Sequence, residues 1–269
     1  MNRNLFWMEL RRNLKSLLIW TLMISLLIFF TMSFFRTFLK YQEQIAGMIQ
    51  VIPQVALKAR GFGNIEDMFS ALGFYAANNI IYMMLLGSIY SIVLCSHIFM
   101  KEEYDKTAEF LLSRPISRDS VFLTKVGLSF FFITVLNIVA AAVSFVSIQV
   151  FKTGSFNFKP FLILTVYTFL LNYLFGAAGI FISAVIRRIR PMTFFSVGLV
   201  LVCYFIYSIS RMSGVTGNFG YLSPFKFVNI DVMSHSYSVE FWRVAYFVFL
   251  VIILSVLSFF LFRRKDILT

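Results

Sequence analysis

The chain is poor in charge. Of its 269 residues 13% are charged and 59% are hydrophobic, with a mean hydropathy of +0.83. A soluble domain carries about 25% charged residues, so a soluble globular chain is excluded. A transmembrane β-barrel is excluded too, because its strands alternate polar and apolar over roughly ten residues and the apolar runs here do not. The two cysteines, Cys95 and Cys203, fall in separate apolar runs, which leaves neither a disulfide framework nor a zinc pattern. Cys95 and His97 are two residues apart, about 200° around a helix, a poor arrangement for shared metal ligation. His235 has no ligand cluster near it, and twelve Met read as adaptable packing residues rather than copper ligands.

Further absences narrow the function. There is no Gly-x-x-x-x-Gly-Lys-Ser/Thr loop, so ATP hydrolysis has to occur on another chain if ATP is used at all. No Ser-His-Asp, His-Glu-x-x-His or paired-carboxylate constellation is present, which argues against an enzyme. No acidic residue lies in mid-span, whereas an ion-coupled secondary carrier usually keeps an intramembrane carboxylate or His relay. The net charge of +12 is explained by Lys and Arg at helix ends, which hold topology against anionic lipid. It does not point to nucleic acid.

What is present is a set of apolar runs near the ~20 residues that cross a bilayer. They predict an all-α, polytopic membrane protein, a single transmembrane domain over residues 1–269, with six spans at about 17–35, 74–100, 121–150, 161–186, 192–209 and 244–262. The first run has no small-residue cleavage site behind it and reads as a retained span. Ahead of it, residues 2–15 place Trp7, Leu10 and Leu14 on one face and Glu9, Arg12 and Asn13 elsewhere, the pattern of an interfacial amphipathic helix. Residues 36–73 read as a long loop, with an interfacial helix near Met48–Leu57 interrupted at Pro53. The small residues Gly176, Ala177, Ala178 and Gly179 predict close helix approach in the fourth span. A second long loop covers 210–243. With both termini placed in the cytoplasm, 15 of the 24 Lys and Arg fall on the cytoplasmic side, in short loops and at span ends, as the positive-inside rule requires.

Between the second and third spans lies a dense charged island, Lys101–Arg118, KEEYDKTAEFLLSRPISR. Glu102, Glu103 and Asp105 suit a helix N-terminus and Arg114 a C-terminus. Pro115 then stops the helix, and Ser117 or Asp119 can cap the third span. The result is a short cytoplasmic helix with an apolar middle at Phe110–Leu112, able to enter a groove on a soluble partner. Inside the membrane, Asn78, Asn79, Asn137, Gln149 and Asn172 are the polar groups. They either glue helices together or, for Asn78, Asn79, Asn137 and Asn172, line a translocation path.

The island resembles the segment after the second span in ABC-2 type transporter permeases. That family carries an acidic residue, Gly-Thr-x-Glu, paired apolar residues and Pro-Val/Ile-Ser-Arg. Here Thr107, Glu109 and the run Leu111-Leu112-Ser113-Arg114-Pro115-Ile116-Ser117-Arg118 match, while Lys106 stands where the family usually has Gly. The N-terminal interfacial helix, the six spans, the long first outer loop and the closing Arg263-Arg264-Lys265-Asp266-Ile267 are similar as well. The resemblance implies the membrane subunit of an ATP-driven exporter in a bacterial-type plasma membrane. It implies pairing with a second permease subunit, as homodimer or heterodimer, and a cytosolic ATP-binding subunit that carries the ATP and magnesium, with no cofactor in this chain. Coupling would run through Glu102, Glu103, Thr107, Glu109, Leu111, Leu112, Ser113, Arg114, Pro115, Ile116 and Arg118. The alternatives are a membrane sensor or assembly scaffold that docks a soluble partner through the same island, and a secondary carrier. The substrate is not legible; the 35 Phe are explained by lipid-facing surface.

Overall fold

The computed structural model describes residues 3–51, 69–104, 117–186, 192–212, 215–230 and 237–264, and among these there is no strand. Among the described residues, six stretches are long and apolar enough to cross a membrane: Leu5–Lys40, Ala71–Lys101, Arg118–Phe151, Phe158–Val185, Met192–Arg211 and Phe241–Arg264. They cover the six expected spans, and most extend a few residues beyond the predicted ends.

Helix α1 runs unbroken over Arg3–Ser33. The expected N-terminal helix is therefore present but continuous with the first span, since no Gly or Pro interrupts the sequence between them. Helices α2 (Phe35–Lys40) and α3 (Gln42–Val51) follow, so much of what reads as loop after Arg36 is helical. The Pro53 region lies outside the described residues. Next, α4 (Ala71–Phe74) is capped by Ser70, whose hydroxyl accepts from the Gly73 amide at 2.9 Å. A π-helical turn at Tyr75–Asn79 leads into α5 (Ile80–Tyr104). Helix α6 spans Arg118–Phe151 and α7 spans Phe158–Val185, capped by Asn157. Helix α8 covers Met192–Met212, and α9 covers Phe241–Arg264. Between them, two 3₁₀ turns, Val215–Leu222 and Pro224–Phe227, fold back onto the spans.

The centre of the bundle is the pairing of α5 with α7, while α1 packs on α6 and α9 on α7. The pairing is close because of the small residues expected in the fourth span. A Cβ on Gly179 would collide with the backbone carbonyl of Ile92, so any larger residue there would force the two helices apart. The exposed faces of α1, α8 and α9 carry large apolar side chains, among them Leu18, Leu22, Phe194, Phe205, Phe249 and Ile252, as lipid-facing surfaces do.

The intramembrane amides divide by role. Asn172 donates to the Asn137 side-chain oxygen at 2.9 Å and accepts from Ser88 at 3.2 Å, all three buried. Asn137 donates its own amide to the Ile133 carbonyl at 2.8 Å. This chain of bonds ties α5, α6 and α7 together and is the glue reading of the two positions. Asn78 donates to Phe74 O at 3.0 Å, four residues back at the end of α4. Asn79 is fully buried, and neither of its amide atoms has a hydrogen-bond partner among the described residues. Gln149 is exposed.

Candidate functional site

Antiparallel spans place the two boundaries of the charged island at one end of the bundle. The described part of the island, Lys101–Tyr104, continues α5. Glu102 and Glu103 thus lie on the last turn of that helix and not at the start of a new one, because nothing between Met100 and Tyr104 breaks it. Thr107, Glu109, Leu111, Leu112, Ser113, Arg114, Pro115 and Ile116 lie outside the described residues. The far boundary is as expected: Ser117 caps α6, its hydroxyl accepting from the Ser120 amide at 3.2 Å.

Both boundaries are anchored to distant parts of the chain. Lys101 forms an ion pair with Glu9 of α1, whose side chain is fully buried. Asn13, one turn on, donates to Glu9 at 3.3 Å. At the other boundary Asp119 pairs with Arg263 of α9 at 3.2 Å, and Arg118 donates to the Arg263 carbonyl at 3.4 Å. Between them Lys125 of α6, 2% exposed, donates to the Ile98 carbonyl of α5 at 2.7 Å and lies 5.6 Å from the centre of the Phe99 ring. Four phenylalanines fill the space beneath. Phe122 meets Phe99 at 5.3 Å, Phe259 at 5.3 Å and Phe262 at 5.5 Å between ring centres, and Phe99 meets Phe262 at 6.0 Å. Three of the four pairs are edge-on and the Phe122–Phe262 pair is tilted; aromatic pairs contribute about 0.5–1.5 kcal/mol each beyond burial.

Two of these residues carried no functional signal in the sequence. Glu9 reads as part of the polar face of an amphipathic helix, and Lys125 as a positive charge at a span end. Each is instead a buried link between helices. Their burial depends on which helix crosses at that level, and periodicity does not report that. His97 is exposed and lies 3.2 Å from the Thr193 hydroxyl, linking α5 to the start of α8, whereas Cys95 is buried. The two side chains point apart, as their spacing predicts.

The opposite end of the bundle is built differently. Phe225, fully buried, reaches from the second 3₁₀ turn in among the spans, against Phe175 at 5.3 Å and Tyr204 at 5.6 Å. Ser223 holds that turn in place by donating to the Cys203 carbonyl at 2.7 Å. Beside it Phe227 stacks on Tyr246 at 3.7 Å. Glu240, just before α9, pairs with Arg243 at 2.9 Å and accepts from the Trp242 indole at 2.8 Å. Burial pushes its carboxyl upward, but the bonds and charge of Arg243, with the Trp242 and Asn229 donors, outweigh this and hold it below the usual carboxylate range. The backbone N–H of Glu240 in turn donates to the Tyr167 hydroxyl of α7 at 3.0 Å.

Comparison with known families bears on the whole chain. A family model described as ABC-2 family transporter protein matches residues 3–267. A search of curated proteins returns no match.

Proposed function

This chain belongs to the ABC-2 family of transporter proteins, and from that premise we propose that it is the permease subunit of an ATP-driven exporter, with residues 101–118 as the segment that receives work from a separate ATP-binding subunit. The observation that carries the reading is the match over nearly the whole length, 3–267. The anchoring of the island supports it. Lys101 is tied to α1 and Arg118 and Asp119 to α9, while α5 and α6 are the island's own flanks. A push on the segment would therefore be delivered to four helices together, the mechanical property a coupling element needs.

The wider reading has both termini and the island in the cytoplasm of a bacterial-type plasma membrane, a second permease subunit alongside, and ATP with magnesium held by the partner. Thr107, Glu109, the Leu111-Leu112 pair and the Ser113–Ile116 run make the docking surface, with Glu102, Glu103 and Arg118 at its ends. Asn79 contributes to the translocation path, supported by a buried amide with unused donors and acceptors in a π turn, a local geometry frequent at functional sites. Asn78 lies beside it in that turn, whereas the mutual bonds of Asn137 and Asn172 favour a structural role.

The test is co-purification of an ATPase with the intact chain from native membranes, followed by ATP-dependent transport in proteoliposomes. Glu109→Lys, or Leu111→Asp with Leu112→Asp, is expected to insert normally and to abolish transport. Native transport rates in those variants would overturn the coupling role. A partner ATPase stimulated by the chain with no substrate movement would instead identify a docking scaffold.

A further inference from the structure

At the end of the bundle away from the island, the 3₁₀ turns, the end of α8 and the start of α9 enclose a partly open cavity of about 180 Å³. Its lining includes Tyr207, Ser210, Arg211, Lys226, Asn229 and Arg243. At about 30 Å³ per water, this holds roughly six waters. Ligand pockets for drug-sized molecules run from about 300 Å³, so the cavity is too small for a cargo of that size and suits a compact headgroup.

Its charge is one-sided. The Arg243 charge is answered by Glu240. Arg211 and Lys226 have no carboxylate partner among the described residues. Arg211 donates to the Tyr207 hydroxyl at 2.7 Å and lies over its ring. Lys226 donates to the Gly217 carbonyl and sits 3.9 Å above the Tyr221 ring. These neutral contacts fix both cations in place and leave further N–H donors without a partner among the described residues. Gly220 is required for the arrangement, since a Cβ there would come within 2.6 Å of the Lys226 side chain and 2.5 Å of the Ser210 hydroxyl. Two fixed cations in a confined, partly desolvated space favour a compact polyoxygen anion, and a guanidinium beside an ammonium is a phosphate-binding pair.

We propose that this cavity binds a phosphate group through Arg211 and Lys226. Exposed Phe219, Tyr221, Leu222 and Phe241 stand on the elements that form it, which places the site where a lipid phosphodiester could reach it from the membrane surface. A phosphate on a free solute would meet the same donors.

The experiment uses the full chain purified alone, so it does not depend on any ATPase partner. A failure here is thus distinguishable from a failure of the coupling role. Dihexanoyl phosphatidylglycerol, inorganic phosphate and hexanoate are each titrated while thermal unfolding is followed. In the same samples Arg211 is labelled with phenylglyoxal and Lys226 with acetic anhydride, and the labels are mapped by peptide mass spectrometry. The lipid is expected to raise the melting temperature and protect both residues. Arg211→Gln and Lys226→Gln are each expected to weaken its binding about tenfold, as the loss of one charged hydrogen bond implies. Competition by inorganic phosphate at similar concentration would identify the phosphate alone as the ligand; its failure to compete would identify the lipid. Protection of the unmodified chain needs no variant and stands even if both substitutions disturb folding. Absence of protection by either phosphate compound, equal protection by hexanoate, or unchanged affinity in variants that fold normally would overturn the proposal.

Discussion

Two cations at each end of this bundle are held in opposite ways. At the island end, Lys101 is paired with Glu9 and Arg263 with Asp119, and four phenylalanines lock the helices beneath. At the other end, Arg211 and Lys226 are held by neutral groups around a cavity. Paired charge and close ring packing make a rigid joint, whereas fixed but unneutralised charge makes a place where something arrives. The first arrangement suits the transmission of force and the second suits recognition, and both are built from the same few residue types.

The sharpest way to break this contrast is at the buried pair. Glu9→Ala leaves the Lys101 ammonium without its carboxylate, and breaking a buried pair costs on the order of 3–5 kcal/mol. The expected result is a large drop in melting temperature, followed by intrinsic fluorescence in detergent. Glu9→Leu with Lys101→Met is expected to recover most of it, because an apolar replacement of both partners leaves no stranded charge. A double variant as unstable as the single one would show that the pair is not the source of the effect. At the opposite end, Gly220→Ala overfills the space between Ser210 and Lys226, at a cost of about 1–3 kcal/mol. Its melting temperature is expected to fall less than that of Glu9→Ala.

The next effect is smaller. Asp119 and Arg263 are about half exposed, and surface pairs are worth about 0–1 kcal/mol. Asp119→Asn is expected to leave the melting temperature nearly unchanged while lowering ATP-coupled transport, if this boundary carries load. Unchanged transport would restrict anchoring to the Glu9 side. The smallest effect is a matter of pH. The Glu240 carboxyl is held below its ordinary range in the folded chain, so its contribution is fully present above the unfolded value of about 4.3 and is lost as pH falls through the depressed folded value. The stability gap between the native chain and Glu240→Gln is expected to be constant above about pH 5 and to close in stronger acid. A gap that widens on acidification would mean the opposite shift.

Much of the architecture was legible in the residues. Runs of apolar side chains name the six spans because no other environment accommodates them. Gly176–Gly179 announce a close approach, and a cap at Ser117 or Asp119 follows from their position ahead of a long apolar helix, the structure using Ser117. Less of the site could be read. Asn137 and Asn172 are visible as polar groups in apolar helices, but their mutual bond is not, since they are 35 positions apart. Glu9 and Lys125 look like ordinary interface charges. Arg211, Lys226 and Arg243 look like three scattered cations of an outer loop. The sequence expects a new helix after Met100, whereas α5 runs on to Tyr104, because local charge preference is weaker than the continuity of an unbroken helix.

Composition by itself determined that this chain lives in a membrane, crosses it six times as helices and leaves one charged island between the second and third spans. Hydrophobic transfer depends on residue type and run length alone, and both are written in the sequence. Only the tertiary structure decided that the island's boundaries are tied to α1 and α9, and that two cations at the opposite end share one cavity. Charge pairing depends on distance, and the distances are set by how α1, α5, α6 and α9 cross and by where the 3₁₀ turns fold back onto the bundle.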